Sequence, residues 1–93
     1  MYFVYVISSN VRKYIYVGIT NNTQRRIGEH QKGKEKTTRP YRPFSILHIE
    51  VFSTRIEARK REKYLKSGSG KEWIKRNFLS SGGEIGRRAS LRG

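Results

Sequence analysis

Cysteine is absent from this 93-residue chain, and so is aspartate. Without cysteine the chain forms neither a disulfide framework nor a thiolate metal site, which fits a reducing, cytoplasmic setting. Without aspartate its acids are Glu29, Glu35, Glu50, Glu57, Glu62, Glu72 and Glu84, scattered along the sequence with no close cluster. A two-metal nuclease centre, which needs several convergent carboxylates, is hard to build from such a set. One carboxylate completed by water and substrate phosphate is the metal site these residues could make, an ordinary arrangement for Mg²⁺. Long apolar runs are missing as well. The opening stretch Tyr2 to Ile7 lacks a charged leader and is far too short to span a bilayer. A soluble chain without a membrane partner is expected.

Positive charge is abundant. Twenty-one Lys and Arg against seven acids give a formal net charge of +14, a field that attracts phosphate backbones. Nucleic acid is the expected partner, DNA ahead of RNA. Charge alone does not separate a nuclease from an architectural or ribosomal binder, because counterion release favours any basic surface. The length suits one compact domain, expected over residues 1–79. After Leu79 the Ser80-Ser81-Gly82-Gly83 stretch leads into a tail with Arg87, Arg88 and Arg92, whose composition predicts disorder over residues 80–93.

Periodicity and turn chemistry supply the elements. Residues 2–8 and 13–19 are rich in Tyr, Val and Ile, and the polar stretch between them predicts a hairpin. Asn21 with Gln24 resembles a capping box opening a helix to about His30. Residues 32–43 hold Gly33, Pro40 and Pro43 and predict a mobile loop in which Lys32, Lys34, Lys36, Arg39 and Arg42 face phosphate. Strand character returns over residues 44–52, with Leu47, Ile49 and Val51 alternating toward a core. Thr54 with Glu57 and Ser69 with Glu72 make two further capping boxes, so helices should begin near residues 55 and 70, with Gly68 ending the first.

Three constellations carry candidate chemistry, each with a plainer structural reading beside it. Glu62 falls four residues after Ala58 and three before Leu65, on the helical stripe that should face the core. It is either an arginine-paired buried acid or a metal ligand. Arg26 and His30, four apart, share one helix face, where an arginine fork suits a phosphate and an imidazole can bind phosphate or move a proton. A solvated helix end beside the C-terminal dipole explains the pair equally well, and His48, on a strand, is taken as structural. Alternation places Tyr14, Tyr16 and Gly18 on one strand face and Phe3, Tyr5 and Ile7 on another. A phenol beside cations can act as a base toward water, although tyrosine is simply a favoured strand residue too. Gly18 would allow a helix or backbone to approach closely.

The order of these pieces is informative. Phe3-Val4-Tyr5, Tyr16-Val17-Gly18-Ile19-Thr20-Asn21, Arg25-Arg26-Ile27-Gly28-Glu29-His30 and Ala58-Arg59-Lys60-Arg61-Glu62-Lys63 together resemble the GIY-YIG nuclease superfamily, especially its small stand-alone bacterial members. The resemblance extends to the nuclease module of the bacterial excision-repair incision subunit and covers residues 1 to about 79. It implies an α+β fold, a three-stranded antiparallel sheet flanked by helices. It also implies a metal-dependent endonuclease acting in DNA repair or processing. Carried over by position, Tyr5 and Tyr16 match the motif tyrosines, Arg26 the helix arginine, His30 the residue one turn later, and Glu62 the ligand of Mg²⁺ or Mn²⁺. The resemblance implies water activation by a tyrosine, with Tyr5 and Tyr16 both open as the base. Phe3-Val4-Tyr5 replaces Gly-Ile-Tyr and Val17 replaces isoleucine, neither removing a functional group, and Asn77 is an insecure counterpart of the family's late asparagine. The competing expectation is a non-catalytic nucleic-acid binder that keeps the fold and uses the Lys32 to Arg42 loop.

Overall fold

The computed structural model describes residues 1–79, so the tail expected after Leu79 lies outside the described residues. Among these, three strands form one antiparallel sheet: β1 (Tyr2–Ser9), β2 (Ile15–Thr20) and β3 (Phe44–Phe52), in the order β2-β1-β3. The helices are α1 (Thr23–Lys32), α2 (Arg55–Lys66) and α3 (Gly68–Ile74), with a 3-10 turn at Arg39–Tyr41 and a π-helical turn at Lys75–Leu79. The expected α+β architecture is therefore the observed one. By packing, the chain divides into one compact unit of Met1–Lys63 and a second that starts at Tyr64.

The central position of β1 explains its unbroken apolar sequence. A strand flanked on both sides and covered on both faces has no solvent side to alternate with, and Val4, Tyr5, Val6 and Ile7 are all buried. Tyr5 and Ile7 point to one face, where they pack with Ile27 of α1 and Phe44 of β3, bordered by Tyr14, Tyr16 and Tyr41. Val4 and Val6 point to the other. Across that second face, Glu50 stands opposite Val4. Arg61 of α2 grips its carboxylate with two bonds, Nε to Oε1 at 2.8 Å and Nη2 to Oε2 at 3.0 Å. His48 Nε2 lies 2.8 Å from the same Glu50 Oε2, in keeping with a structural histidine.

Several boundaries depart from expectation for local reasons. The N-cap of α1 is Asn22, one residue after the expected Asn21, and its Oδ1 accepts from the Arg25 N–H at 3.0 Å. Thr20 Oγ1 accepts the Asn22 N–H at 3.1 Å and helps hold Asn22 in the extended conformation a cap requires. The helix runs two residues past His30 and ends at Gly33, whose φ of 79° provides the left-handed C-cap. Similarly, Ser67 caps α3 by accepting from Gly70 N–H, so that helix starts at Gly68 and not near residue 70. Thr54 does cap α2, through the Glu57 N–H.

On β3 the expected alternation fails. Ile49 and Val51 pair with Tyr5 and Phe3 and share their face, yet they remain 39% and 54% exposed. The covering helix residues, Ile27 and His30, gather around Tyr5 on β1 and leave this edge strand open. A bulge adds to the mismatch: Val6 pairs with His48 but Ile7 with Ile46, so Leu47 is skipped and the parity of β3 reverses. Phe44 is buried for that reason while Ile49 belongs to the same face. Strand β2 begins at Ile15, leaving Tyr14 just outside it, stacked on Tyr41 with ring centroids 3.9 Å apart.

Candidate active site

Three distant stretches of sequence meet on the Tyr5 face of the sheet. From β1, the Tyr5 phenol oxygen lies 2.9 Å from His30 Nε2 of α1. From β2, the Tyr16 ring sits 4.8 Å from the His30 ring and 6.1 Å from that of Tyr5, centroid to centroid. Arg26, one turn before His30, brings its guanidinium beside the Tyr5 hydroxyl. Gly18 makes this crowding possible. It stands opposite Tyr5 in the β1–β2 pairing, and a Cβ there would come within 2.5 Å of Tyr5 Cζ and 2.9 Å of Tyr16 Cε2. The close approach expected at Gly18 is thus made by a tyrosine ring, not by a helix or backbone.

Burial and neighbouring charge keep Tyr5 and His30 neutral while Arg26 keeps its charge. Burial pushes the Tyr5 phenol well above the usual tyrosine range. The neighbouring Tyr16 adds to that effect and Arg26 opposes it. Burial also holds His30 below its ordinary value, reinforced by the positive charge of Arg26 and opposed by Glu35 and Glu29. His30 is a neutral imidazole at neutral pH. For Arg26, burial disfavours the charge, but the bonds from its guanidinium to Glu35 and Glu29 outweigh that and raise its value. Those bonds are Nη1 to Glu29 Oε1 at 2.9 Å and Nη2 to Glu35 Oε2 at 3.0 Å. Since a guanidinium has five N–H donors in a planar fork, this aligns Arg26 without exhausting it.

Four of the sequence-predicted residues, Tyr5, Tyr16, Arg26 and His30, are thereby brought together. Glu62 enters from α2. Its side chain is only 9% exposed, with Oε1 at 3.6 Å from Arg59 Nη1, whose side chain is 60% exposed. The contacts joining the other four do not run through Glu62. Among the described residues no group of three or more His, Cys, Asp or Glu is placed to hold a metal ion.

The expected loop is more ordered than its composition implied. Arg39 Nε donates to Gly33 O at 2.7 Å and Arg42 Nη1 to Lys32 O at 2.9 Å, so both arginines tie down the end of α1. Their remaining donors and the exposed Lys32, Lys34 and Lys36 still line a basic surface. Sequence reasoning missed the partners of the cluster. Glu29 could have been noticed three residues after Arg26, but Glu35 and the buried Thr38, 2.9 Å from His30 Nδ1, come from a segment without periodicity.

Comparison with known proteins identifies the family. Residues 1–77 match the model of the GIY-YIG catalytic domain. The chain belongs to the GIY-YIG family. It is similar to a UPF0213 protein of Bacillus velezensis, 41% identical over 66 residues, covering 70% of this chain and 66% of the relative. A UPF0213 protein of Listeria welshimeri is 41% identical over 71 residues, 75% of this chain and 78% of the relative. Among solved structures, the solution structure of UPF0213 protein BH0048 from Bacillus halodurans is 32% identical with a TM-score of 0.49, covering 80% of this chain and 82% of that one. In this GIY-YIG chain the four clustered side chains all come from the matched region. No helix among the described residues is long and apolar enough to cross a membrane.

Proposed function

We propose that this GIY-YIG chain is a metal-dependent endonuclease hydrolysing nucleic-acid phosphodiester bonds, DNA ahead of RNA, in a cytoplasmic repair or processing role. The observation that carries the reading is the meeting of two phenols, an imidazole and an aligned guanidinium on one sheet face, in a chain of net charge +14. Tyr16 is the partly exposed phenol and Tyr5, at 1% exposure, lies beneath it. Water attacking phosphorus would pass a proton to the Tyr16 oxygen as the phenolic proton moves on to bulk solvent, and the leaving oxygen would take a proton from solvent once its bond to phosphorus breaks, with Tyr5 and His30 holding the Tyr16 ring in place. Arg26 would stabilise the charge that builds on the phosphate oxygens as the P–O bond to the leaving oxygen breaks.

The donor set fits one hard divalent ion. Glu62 supplies a single hard-oxygen carboxylate, mostly buried and 3.6 Å from the exposed Arg59. Glu62 would hold Mg²⁺ or Mn²⁺, with water and substrate phosphate as the other ligands, and the bound ion would neutralise charge on the phosphate and leaving oxygen. The basic surface of Lys32, Lys34, Lys36, Arg39 and Arg42 would position the backbone without reading sequence.

The test is cleavage of branched, single-stranded and duplex DNA and RNA, with Mg²⁺ or Mn²⁺ or with chelator, by the wild type and by Glu62→Gln. Cleavage that needs the metal and disappears in Glu62→Gln, while binding persists, is the expected result. Binding without cleavage of any substrate by the wild type would make the chain a nucleic-acid binder that keeps the nuclease fold.

A further inference from the structure

Thr38 belongs to none of the motifs, yet it is fully buried at the base of the cluster. It precedes the 3-10 turn, and its backbone carbonyl accepts from the Tyr41 N–H. Its hydroxyl lies 2.9 Å from His30 Nδ1, and among the described residues this is the hydrogen-bond partner that hydroxyl finds. A buried hydroxyl carries one proton that must reach an acceptor. A neutral imidazole has one nitrogen that accepts and one that donates, and the partner of the first decides the role of the second.

With Thr38 donating to Nδ1, the imidazole proton sits on Nε2, 2.9 Å from the Tyr5 oxygen. The opposite arrangement, Nδ1–H donating to Thr38, would leave the Thr38 proton buried without an acceptor among the described residues. We propose that Thr38 is a positioning residue: it fixes His30 as the Nε2–H tautomer, so that His30 donates to the Tyr5 oxygen. That oxygen then faces two protein donors, His30 Nε2–H and the Arg26 guanidinium, so the one proton the cluster leaves without a protein acceptor is that of Tyr5, whose ring lies against the partly exposed Tyr16, and not that of Thr38 at the buried end of the chain of contacts. The tautomer assignment stands on the hydrogen bonds alone, and its catalytic consequence rests on the nuclease reading above.

The test uses the full-length chain labelled with ¹⁵N. Long-range proton–nitrogen spectra at neutral pH distinguish Nε2–H from Nδ1–H imidazoles, and Thr38→Val, Thr38→Ser and an assigning His48→Gln variant are compared with the wild type. The expected result is an Nε2–H signature for His30 in the wild type and in Thr38→Ser, lost in Thr38→Val. In cleavage assays Thr38→Val should lower kcat by about 10–100-fold, as loss of a partner that orients a functional histidine does, with KM unchanged and serine restoring the rate. An Nδ1–H signature in the wild type would overturn the proposal even if Thr38→Val does not fold, and so would an unaltered tautomer in folded Thr38→Val. A wild type that cleaves nothing would remove the nuclease reading, and the spectra would still decide whether Thr38 sets the tautomer.

Discussion

Substituting Gly18 by alanine tests the packing that brings the two tyrosines together. In most strands the change would be mildly favourable, because alanine restricts the unfolded chain and glycine packs nothing. Here the added Cβ would stand 2.5 Å from Tyr5 Cζ, 2.9 Å from Tyr16 Cε2 and closer still to the Tyr5 oxygen. Carbon atoms settle at about 3.5–4.0 Å, so the Tyr5 ring would have to retreat by about an ångström. It is fully buried and joined to His30, so it cannot retreat without breaking that bond or displacing α1. Overpacking of this kind costs about 1–3 kcal/mol, and at about 4–8 °C per kcal/mol for a domain of this size the melting temperature should fall by about 4–24 °C. Thermal denaturation followed by circular dichroism measures it. Repeating Gly18→Ala on a Tyr5→Leu background should relieve most of the penalty, a coupling above about 0.5 kcal/mol. Equal melting of Gly18→Ala and wild type, or strictly additive effects in the double variant, would refute the proposed ring-over-glycine contact.

Arg26→Lys keeps the charge but removes the planar fork. Cleavage should fall by about 10²–10³-fold, the usual loss when one transition-state donor is removed. Stability should move little, since lysine keeps the charge and partly exposed ion pairs contribute about 0–1 kcal/mol, and kinetics beside a melt separates the two effects. Acidification should destabilise the fold: His30 is held below its ordinary 6.5, so the unfolded chain takes up its proton first and stability drops as pH falls through that region. Glu29 and Glu50 are also held below their ordinary value, Glu29 chiefly by Arg26, and Glu50 by Arg61 and His48 against the opposing effect of burial. They extend the loss below about pH 4.5, whereas the raised Tyr5 predicts loss as pH climbs above about 10. Melting temperature against pH checks the signs, and His30→Gln should flatten the curve near neutrality. Gly70→Ala would drive a Cβ into the backbone carbonyl of Tyr64 and to 2.5 Å from Leu65 Cα. Backbone yields less than a side chain, so hydrogen exchange should show lost protection from Gly68 to Leu79.

Much of this protein was legible in its sequence because the signals are local or cumulative. Apolar runs and turn residues located the three strands, capping chemistry located the helices to within a residue or two, and a Lys/Arg excess fixed the sign of the field. The ordered motifs pointed to the family and to Tyr5, Tyr16, Arg26, His30 and Glu62. Tertiary structure alone decided what depends on which elements lie over which. Ile49 and Val51 are chemically core residues, left open because α1 covers β1 and not the edge strand. Arg39 and Arg42 bind helix carbonyls as well as offering charge. The alignment of Arg26 by Glu35 and the contact of His30 with Thr38 join residues nine and eight positions apart across an irregular turn. No periodicity records such pairs, because only the closure of the chain at Gly33 brings their side chains within reach.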